Sequence, residues 1–381
     1  MQKKPPLSIY IHLPWCVHKC PYCDFNSHEK NNNSFELDKE NYLAAITKHI
    51  QLHESDEREI ISIFFGGGTP SLFAPSEINQ ILLAIKNKYS LHPNCEITLE
   101  ANPGTIDLPY FAGYQGIGIN RLSLGIQSFN DKHLKKLGRI HSAEDAYQVA
   151  THAKQIFPRV NLDLMFALPA QTMTDLADDI GTALSISPEH LSYYHLTIEP
   201  NTLFHKFPPQ LPDDDTSAEY QDYIFKKLSA HHYHHYETSA HTKVGGACLH
   251  NLNYWEFGDY LGFGAGAHSK ITQHNSIKRF SCYKNPMQYI KHTHEKDFYI
   301  ERKTVTRNEL ILEFMMNALR LNDGFKVPLF EARTGLLFTE IALEINQAQE
   351  RGLISVTDDM IKPTALGQNY LNDLLQIFLR D

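Results

Sequence analysis

Cys16-Val17-His18-Lys19-Cys20-Pro21-Tyr22-Cys23 places three thiols in a C-x3-C-x2-C run. Thiolates at this spacing on one loop can hold three irons of a [4Fe–4S] cube, one at each corner. The run offers no fourth thiol, so one iron keeps a position for an exchangeable ligand. Two residues beyond Cys23 stands Phe25. The remaining cysteines, Cys95, Cys248 and Cys282, are scattered, and a chain of 381 residues without a secretory signal needs no covalent staples. Clustered thiols in such a chain point to metal or redox chemistry.

An alternation of strand and helix must position that loop. Short apolar or alternating segments at 7–13, 60–65, 96–100, 121–126, 160–165 and 191–198 read as six strands. Helical patterning fills 38–53, 76–89, 107–114, 143–156 and 173–185, with Ser76 a candidate N-cap and Pro75 in the loop before it. Strands alternating with helices imply parallel βαβ units, and six of them predict an α/β fold built on a partial (βα)6 barrel. Residues 1–203 hold this barrel. A proline- and aspartate-rich connector opens region 204–304, which carries a helix at 218–228, a histidine-rich stretch at 231–241 and a glycine-rich one at 258–266. Region 305–381 reads as helices at 308–321, 339–352 and 366–379 around a hairpin near 354–363, an α+β winged-helix-like domain.

Composition narrows the classes. No run of about eighteen apolar residues is present, so no membrane-spanning helix is expected. The N-terminal residues lack the apolar core and cleavage site of a signal peptide, which reads as cytoplasmic. A net charge of −9 argues against a nucleic-acid partner and favours a lid or docking role for the C-terminal module. The basic run Lys132 to Arg139 reads as a solvated helix face.

In α/β barrels, ligands sit at the carboxyl ends of the strands. The cysteine loop follows the first strand and Gly66-Gly67-Gly68-Thr69-Pro70 the second. Glu100 and Asn102 close the third strand, Gln127 and Ser128 close the fourth, Asp163 lies in the fifth, and Arg139 lies beyond the fourth strand's loop. Singly these residues read as a turn, a cap or a solvated charge. Together they face one end of one barrel.

With C-x3-C-x2-C after the first strand and G-G-G-T-P after the second, the chain resembles the radical S-adenosylmethionine (SAM) superfamily. The resemblance implies a [4Fe–4S] cluster whose open iron binds the amino and carboxylate groups of SAM, and whose reduction cleaves SAM to a 5′-deoxyadenosyl radical. It also implies SAM contacts at Tyr10, Tyr22, Gly67, Gly68, Thr69, Glu100, Gln127, Arg139 and Asp163. The glycine loop and Glu100 would meet the ammonium, Arg139 the carboxylate and Asp163 a ribose hydroxyl.

The segments Tyr10-Ile11-His12-Leu13-Pro14-Trp15-Cys16, Glu100-Ala101-Asn102-Pro103-Gly104, Gly125-Ile126-Gln127-Ser128-Phe129 and Asn161-Leu162-Asp163-Leu164-Met165 are similar to those of the oxygen-independent coproporphyrinogen III oxidase family. The likeness covers nearly the whole chain. Oxidising members carry C-x3-C-x2-C-x-C, with a cysteine where this chain has Phe25. The chain also has His250-Asn251-Leu252-Asn253-Tyr254-Trp255, an H-N-x-x-Y-W motif. Both features resemble the haem chaperone branch, whose members bind haem and pass it to an acceptor. That branch implies haem on His250, with Tyr254 and Trp255 as flat surfaces for the porphyrin. It also implies a haem-accepting protein of the respiratory chain, membrane-associated recipients among them, and a flavodoxin-type electron donor, and it leaves a homodimer open. The alternative is SAM-dependent oxidative decarboxylation of coproporphyrinogen III to protoporphyrinogen IX.

Read without the resemblance, a histidine followed by aromatics is more often core packing than a ligand. Cys248 is either a second ligand candidate or a buried inert thiol. The His231-His232-Tyr233-His234-His235 cluster is either a metal site or a set of solvated imidazoles at a helix end. The stretch 262–268 lacks G-x-G-x-x-G spacing and reads as a close-packed turn near the pocket.

Overall fold

Strands β1 (Leu7–Leu13), β2 (Ile60–Gly67), β3 (Leu91–Ala101), β4 (Arg121–Gln127), β5 (Arg159–Phe166) and β6 (His190–His195) lie side by side in that order, all parallel. They belong to a computed structural model that describes residues 4–31, 33–103, 108–273 and 276–380. All six expected strands are present. Helices Phe35–Leu52, Pro75–Lys88, Phe111–Gly116, Ala143–Ile156 and Met173–Ile186 run between them. Gly104 and residue 107, where the expected helix 107–114 begins, lie outside the described residues. Ser76 is not a cap. Pro75 takes the first helical position, where its missing N–H costs nothing, and Glu77 caps the Ala74 N–H at 2.6 Å.

The sheet continues on both sides. Beyond β6, β8 (Ala240–Thr242) pairs antiparallel with it and with β7 (His234–Glu237). On the other side, β9 (Asp259–Phe263) pairs parallel with β1, and β10 (His268–Gln273), β11 (Ser276–Cys282) and β12 (Tyr299–Thr304) follow as an antiparallel meander. The twelve-stranded order is β12-β11-β10-β9-β1-β2-β3-β4-β5-β6-β8-β7, so the sheet stays open. The stretch 262–268 is the close-packed turn it reads as, at 264–267 between β9 and β10, while residues 259–263 of the glycine-rich region form β9, a seventh parallel strand. Gly262 is required there: a Cβ would lie 2.1 Å from the His268 backbone oxygen.

Each barrel strand has two faces. Leu7, Ile9, Ile11, Ile63, Phe65, Ile97, Leu99, Leu122, Leu124, Val160 and Leu162 pack in one core with helix residues such as Ile46, Ile81 and Val149. The alternate set is polar: Ser8, Tyr10 and His12; Ser62; Glu96, Thr98 and Glu100; Arg121 and Ser123; Asn161 and Asp163; His190 and Ser192. These side chains bond across strands, as in Ser62 Oγ to Ser8 Oγ at 2.7 Å, Asn161 Nδ2 to Ser123 Oγ at 2.8 Å and His190 Nδ1 to Asn161 Oδ1 at 2.6 Å. They line the concave interior.

The C-terminal region has its own core around Phe314, Phe330, Ile345 and Phe378. Helices Arg307–Ala318, Val327–Thr334 and Ala342–Glu350 pack with a three-stranded sheet of Phe325–Lys326, Met360–Pro363 and Ile354–Thr357. The sequence pattern does not reveal Val327–Thr334, and the last expected helix is two short ones, Ala365–Asn369 and Leu371–Gln376.

Candidate cluster and cofactor site

The cysteine loop leaves β1 through Trp15–Cys16, which pairs with His28–Glu29 and closes the loop on itself. Lys19 Nζ donates to the Phe25 and Ser27 carbonyls at 3.1 Å each and holds the base. All six cysteines are free thiols. Burial, helped by the neighbouring Cys23 and Cys20, pushes the Cys16 thiol up to about 11. Among the described residues, no three His, Cys, Asp or Glu converge on a single metal ion. A cube asks something different, since each thiolate meets its own iron.

The G-G-G-T-P turn is built against this loop. Gly68 N–H donates to the Leu13 carbonyl at 2.8 Å and Thr69 N–H to the Trp15 carbonyl at 2.7 Å. A Cβ on Gly68 would sit 2.4 Å from the Trp15 oxygen, and one on Gly67, whose φ is +116°, 2.6 Å from the His12 ring. These glycines let two strand-end loops touch.

Arg139 is the hub. Its Nη1 lies 3.7 Å from Cys20 Sγ, while Nη2 donates to Asn102 Oδ1 at 2.7 Å and to the Gly125 carbonyl at 2.8 Å. Asn102 Nδ2 in turn donates to Thr69 Oγ1 at 2.7 Å. Tyr22 packs beside Arg139 and Cys20, and burial raises its phenol. Gln127, at φ +66°, brings its amide over Gly125 next to Asn102 and Arg139.

Glu100 and Asp163 stand together deeper in the interior. The only hydrogen bond Glu100 makes among the described residues comes from Gly67 N–H at 3.3 Å. Burial, and then the Asp163 charge, push its carboxyl up to about 8. Asp163 accepts from Ser123 at 3.0 Å and Asn161 at 2.9 Å, yet burial still raises it. Tyr10 OH meets His12 Nδ1 at 3.0 Å, and His12 Nε2 meets the Asn26 carbonyl at 2.9 Å, so the interior is tied to the cysteine loop.

His250, Tyr254 and Trp255 are elsewhere. They lie on helix Leu249–Trp255, at the amino end of the barrel strands. His250 Nδ1 meets Ser62 Oγ at 2.9 Å and Nε2 meets Tyr254 OH at 3.1 Å, and the ring stacks on Phe64 with centroids 5.0 Å apart. Burial and Arg121 lower its pKa to about 3. Gly67 lies five residue steps along β2 from Ser62, roughly 16 Å of strand. As folded, both His250 ring nitrogens are engaged, so iron would have to displace one partner. Trp255 has Arg320 over its ring at 4.3 Å. Cys248 is a fully buried thiol donating to Glu96 Oε1 at 3.5 Å, with its pKa pushed up by burial to about 12, which fits the inert reading.

The histidine cluster does not converge on a metal among the described residues. His231 bonds the Lys227 carbonyl at a helix end, His234 pairs with Asp323 at 3.2 Å, and His235 stacks on His241 at 4.4 Å. In the basic run, Lys132 and Lys135 are solvated as expected, while His133 is buried and Arg139 turns into the site.

Residues 10–183 match the Radical SAM superfamily model and residues 305–369 the HemN C-terminal domain model. Over 100% of both chains, the sequence is 43% identical to the heme chaperone HemW of Haemophilus influenzae and 41% identical to that of Escherichia coli. The chain belongs to the HemW family. Its fold is that of the E. coli coproporphyrinogen III oxidase HemN, a solved structure matched at TM-score 0.83 and 22% identity over 98% of this chain and 90% of that one.

Membership in this radical SAM family implies a [4Fe–4S] cluster and SAM, and the residues of this HemW-family chain fit both. Three free thiols share one loop with a guanidinium beside Cys20. Glu100 is a carboxylate short of partners beside a second carboxylate, a place where a cation relieves both desolvation and repulsion. The Arg139 fork is aimed by Asn102 toward the cysteine loop and suits a carboxylate. When bound, the cluster supplies an electron and SAM the precursor of a radical. Asn102 is the member that the sequence pattern leaves out of the SAM set, although it closes β3 beside Glu100.

Proposed function

We propose that this chain is a haem chaperone, which binds haem and passes it to an acceptor protein while its [4Fe–4S]/SAM site controls assembly or transfer. The observation that carries this reading is Phe25. Its ring is 61% exposed at the end of the cysteine loop, so the position after the three thiols offers no ligand. Full-length likeness to proteins named heme chaperone HemW, and the H-N-x-x-Y-W helix, support it. In this reading residues 1–203 hold the cluster and SAM through Cys16, Cys20, Cys23 and the Arg139–Asn102–Thr69 chain, 204–304 carry the haem motif, and 305–381 serve as a docking module. The protein works in the cytoplasm, as a monomer or homodimer, takes electrons from a flavodoxin-type donor, hands haem to a respiratory acceptor and binds no nucleic acid. No helix among the described residues is long and apolar enough to cross a membrane, so a membrane-associated acceptor would be reached by docking.

The test is anaerobic purification with iron, sulfide and hemin-binding analysis, followed by incubation with SAM, a reductant and coproporphyrinogen III. About four irons per chain, stoichiometric hemin binding and unchanged coproporphyrinogen are expected. Release of CO2 with formation of protoporphyrinogen IX would instead establish the oxidase.

A further inference from the structure

Binding iron takes the proton from each thiol of the cysteine loop, because the metal is held by thiolates. The thiols put those protons to use. Cys16 Sγ donates to the His28 carbonyl at 3.6 Å, and Cys20 Sγ to the Gly138 carbonyl at 4.0 Å. Both bonds end when the proton leaves. Cys23 differs: its Sγ lies 3.7 Å from the Ser27 hydroxyl, a partner that donates as readily as it accepts. Once Cys23 is a thiolate, only the hydroxyl has a proton to give. At Cys16, burial raises the thiol, and a hydrogen bond from the same Ser27 hydroxyl acts against it.

The loop leaves that hydroxyl little else to bind. Ser27 is 6% exposed, so it does not turn to bulk water. Its other acceptor among the described residues is the Phe25 carbonyl at 3.5 Å. That oxygen already takes the Ser27 N–H at 2.6 Å and Lys19 Nζ at 3.1 Å, which fill its two lone pairs. The backbone around Ser27 is pinned as well. Its own carbonyl accepts from Lys19 Nζ at 3.1 Å, and the His28 N–H donates to the Pro14 carbonyl at 2.7 Å. On the other flank, Asn26 Nδ2 donates to the Ala265 and Lys284 carbonyls at 3.0 and 2.9 Å. A fixed frame thus delivers the hydroxyl to the thiols.

We infer that Ser27 tunes the redox centre: its hydroxyl donates to the Cys23 and Cys16 thiolates and raises the reduction potential of the [4Fe–4S] cluster they hold. The inference rests on the cluster-bearing reading of this loop. Hydrogen bonds to the ligating sulfurs are among the determinants of cluster potential. The sign follows from charge. A reduced cluster is more negative by one electron, so a donor aimed at its sulfurs stabilises it more than the oxidised form. The buried setting strengthens the effect. Arg139 Nη1, 3.7 Å from Cys20 Sγ, does for the third thiolate what Ser27 does for the other two. A weaker electron donor then suffices to reduce the site.

The experiment is an EPR-monitored potentiometric titration of the anaerobically reconstituted full chain, with iron and sulfide counted beforehand. Ser27→Ala should keep about four irons per chain. It should favour the oxidised cluster about tenfold over wild type, a shift of about 59 mV to lower potential for one electron. Ser27→Thr, which keeps the hydroxyl, should titrate close to wild type. ENDOR of the reduced chain in H2O and D2O should show an exchangeable proton coupled to the cluster that Ser27→Ala lacks. A wild-type midpoint in Ser27→Ala, or equal shifts in the Ala and Thr variants, overturns the role of Ser27 and leaves the cluster reading intact. Loss of the cluster from Ser27→Ala makes the residue a structural part of the loop and overturns the tuning role as well. A wild-type chain that assembles no cluster overturns the reading of the loop itself.

Discussion

Asn102 joins Arg139 to Thr69: its Oδ1 accepts from the guanidinium and its Nδ2 donates to the hydroxyl, both at 2.7 Å. One amide thereby fixes the angle of a fork whose other nitrogen faces Cys20. Asn102→Ala removes a hydrogen bond to a charged group, worth about 1.5–3 kcal/mol, which corresponds to roughly 10- to 100-fold in SAM affinity. Anaerobic equilibrium binding of labelled SAM should show that loss with iron content unchanged. Wild-type SAM affinity in the variant would mean that the amide does not position Arg139.

Glu100 makes apo-protein stability depend on pH. Its folded-state value of about 8 lies above the ordinary 4.5, so between those values the folded chain keeps a proton that the unfolded chain has released. Stability therefore falls as pH rises from about 4.5 to about 8 and levels off above. In Glu100→Gln that slope should flatten, with a Tm advantage over wild type that is largest at pH 8 and above. Thermal melts of the apo-protein across this window measure it. SAM should raise the wild-type Tm more than the variant's, because only the carboxylate gains an ammonium partner.

The carboxyl-end site was legible because its chemistry is carried by residues in short, strand-anchored motifs. Cys16, Cys20, Cys23, the glycine turn, Glu100, Gln127 and Arg139 each close or follow a strand with a strong apolar face, and Asp163 lies within one. β9 was not legible. Gly262 is demanded by close backbone approach, and the strand Asp259–Phe263 holds no β-branched residue to mark it. The placement of His250 was equally hidden. Nothing local in H-N-x-x-Y-W says which barrel end receives it; the answer lies in Ser8, Ser62 and Glu96, inward-facing residues that look like ordinary strand alternation until the sheet brings them together. Asn102 failed to stand out because its role depends on two partners from other strands.

Two glycine substitutions should move in opposite directions. A Cβ at Gly68 meets the Trp15 carbonyl oxygen at 2.4 Å, and backbone on both sides prevents relief. Gly68→Ala should separate the glycine turn from the cysteine loop and lower reconstituted iron well below wild type. Gly181, in helix Met173–Ile186, has open space where a methyl group would stand, with no atom within 4 Å, so Gly181→Ala should stabilise by about 0.5–1 kcal/mol with full iron content. Iron analysis paired with thermal melts separates the two effects. Normal iron content in Gly68→Ala would show that the turn and loop have slack.

Glu96 should prove the anchor of the motif helix. Its buried carboxylate accepts the first N–H groups of helix Leu249–Trp255, from Leu249 at 3.2 Å and His250 at 3.1 Å, and takes the Cys248 thiol at 3.5 Å. It also pairs with Arg159 at 2.7 Å. A carboxylate at a helix N-terminus satisfies orphan donors and meets the positive end of the dipole. Removing one partner of a buried pair leaves the other charge uncompensated, at about 3–5 kcal/mol. Glu96→Ala should therefore lower stability by that order and loosen the helix at its start. Cys248, wholly buried in the wild type, supplies a local readout: its reaction with a thiol reagent should become measurable under native conditions. Glu96→Gln, which keeps the shape and one acceptor, should fall between. A Cys248 that stays unreactive in Glu96→Ala would show that Ser62, Asn253 and the barrel floor hold the helix without the carboxylate.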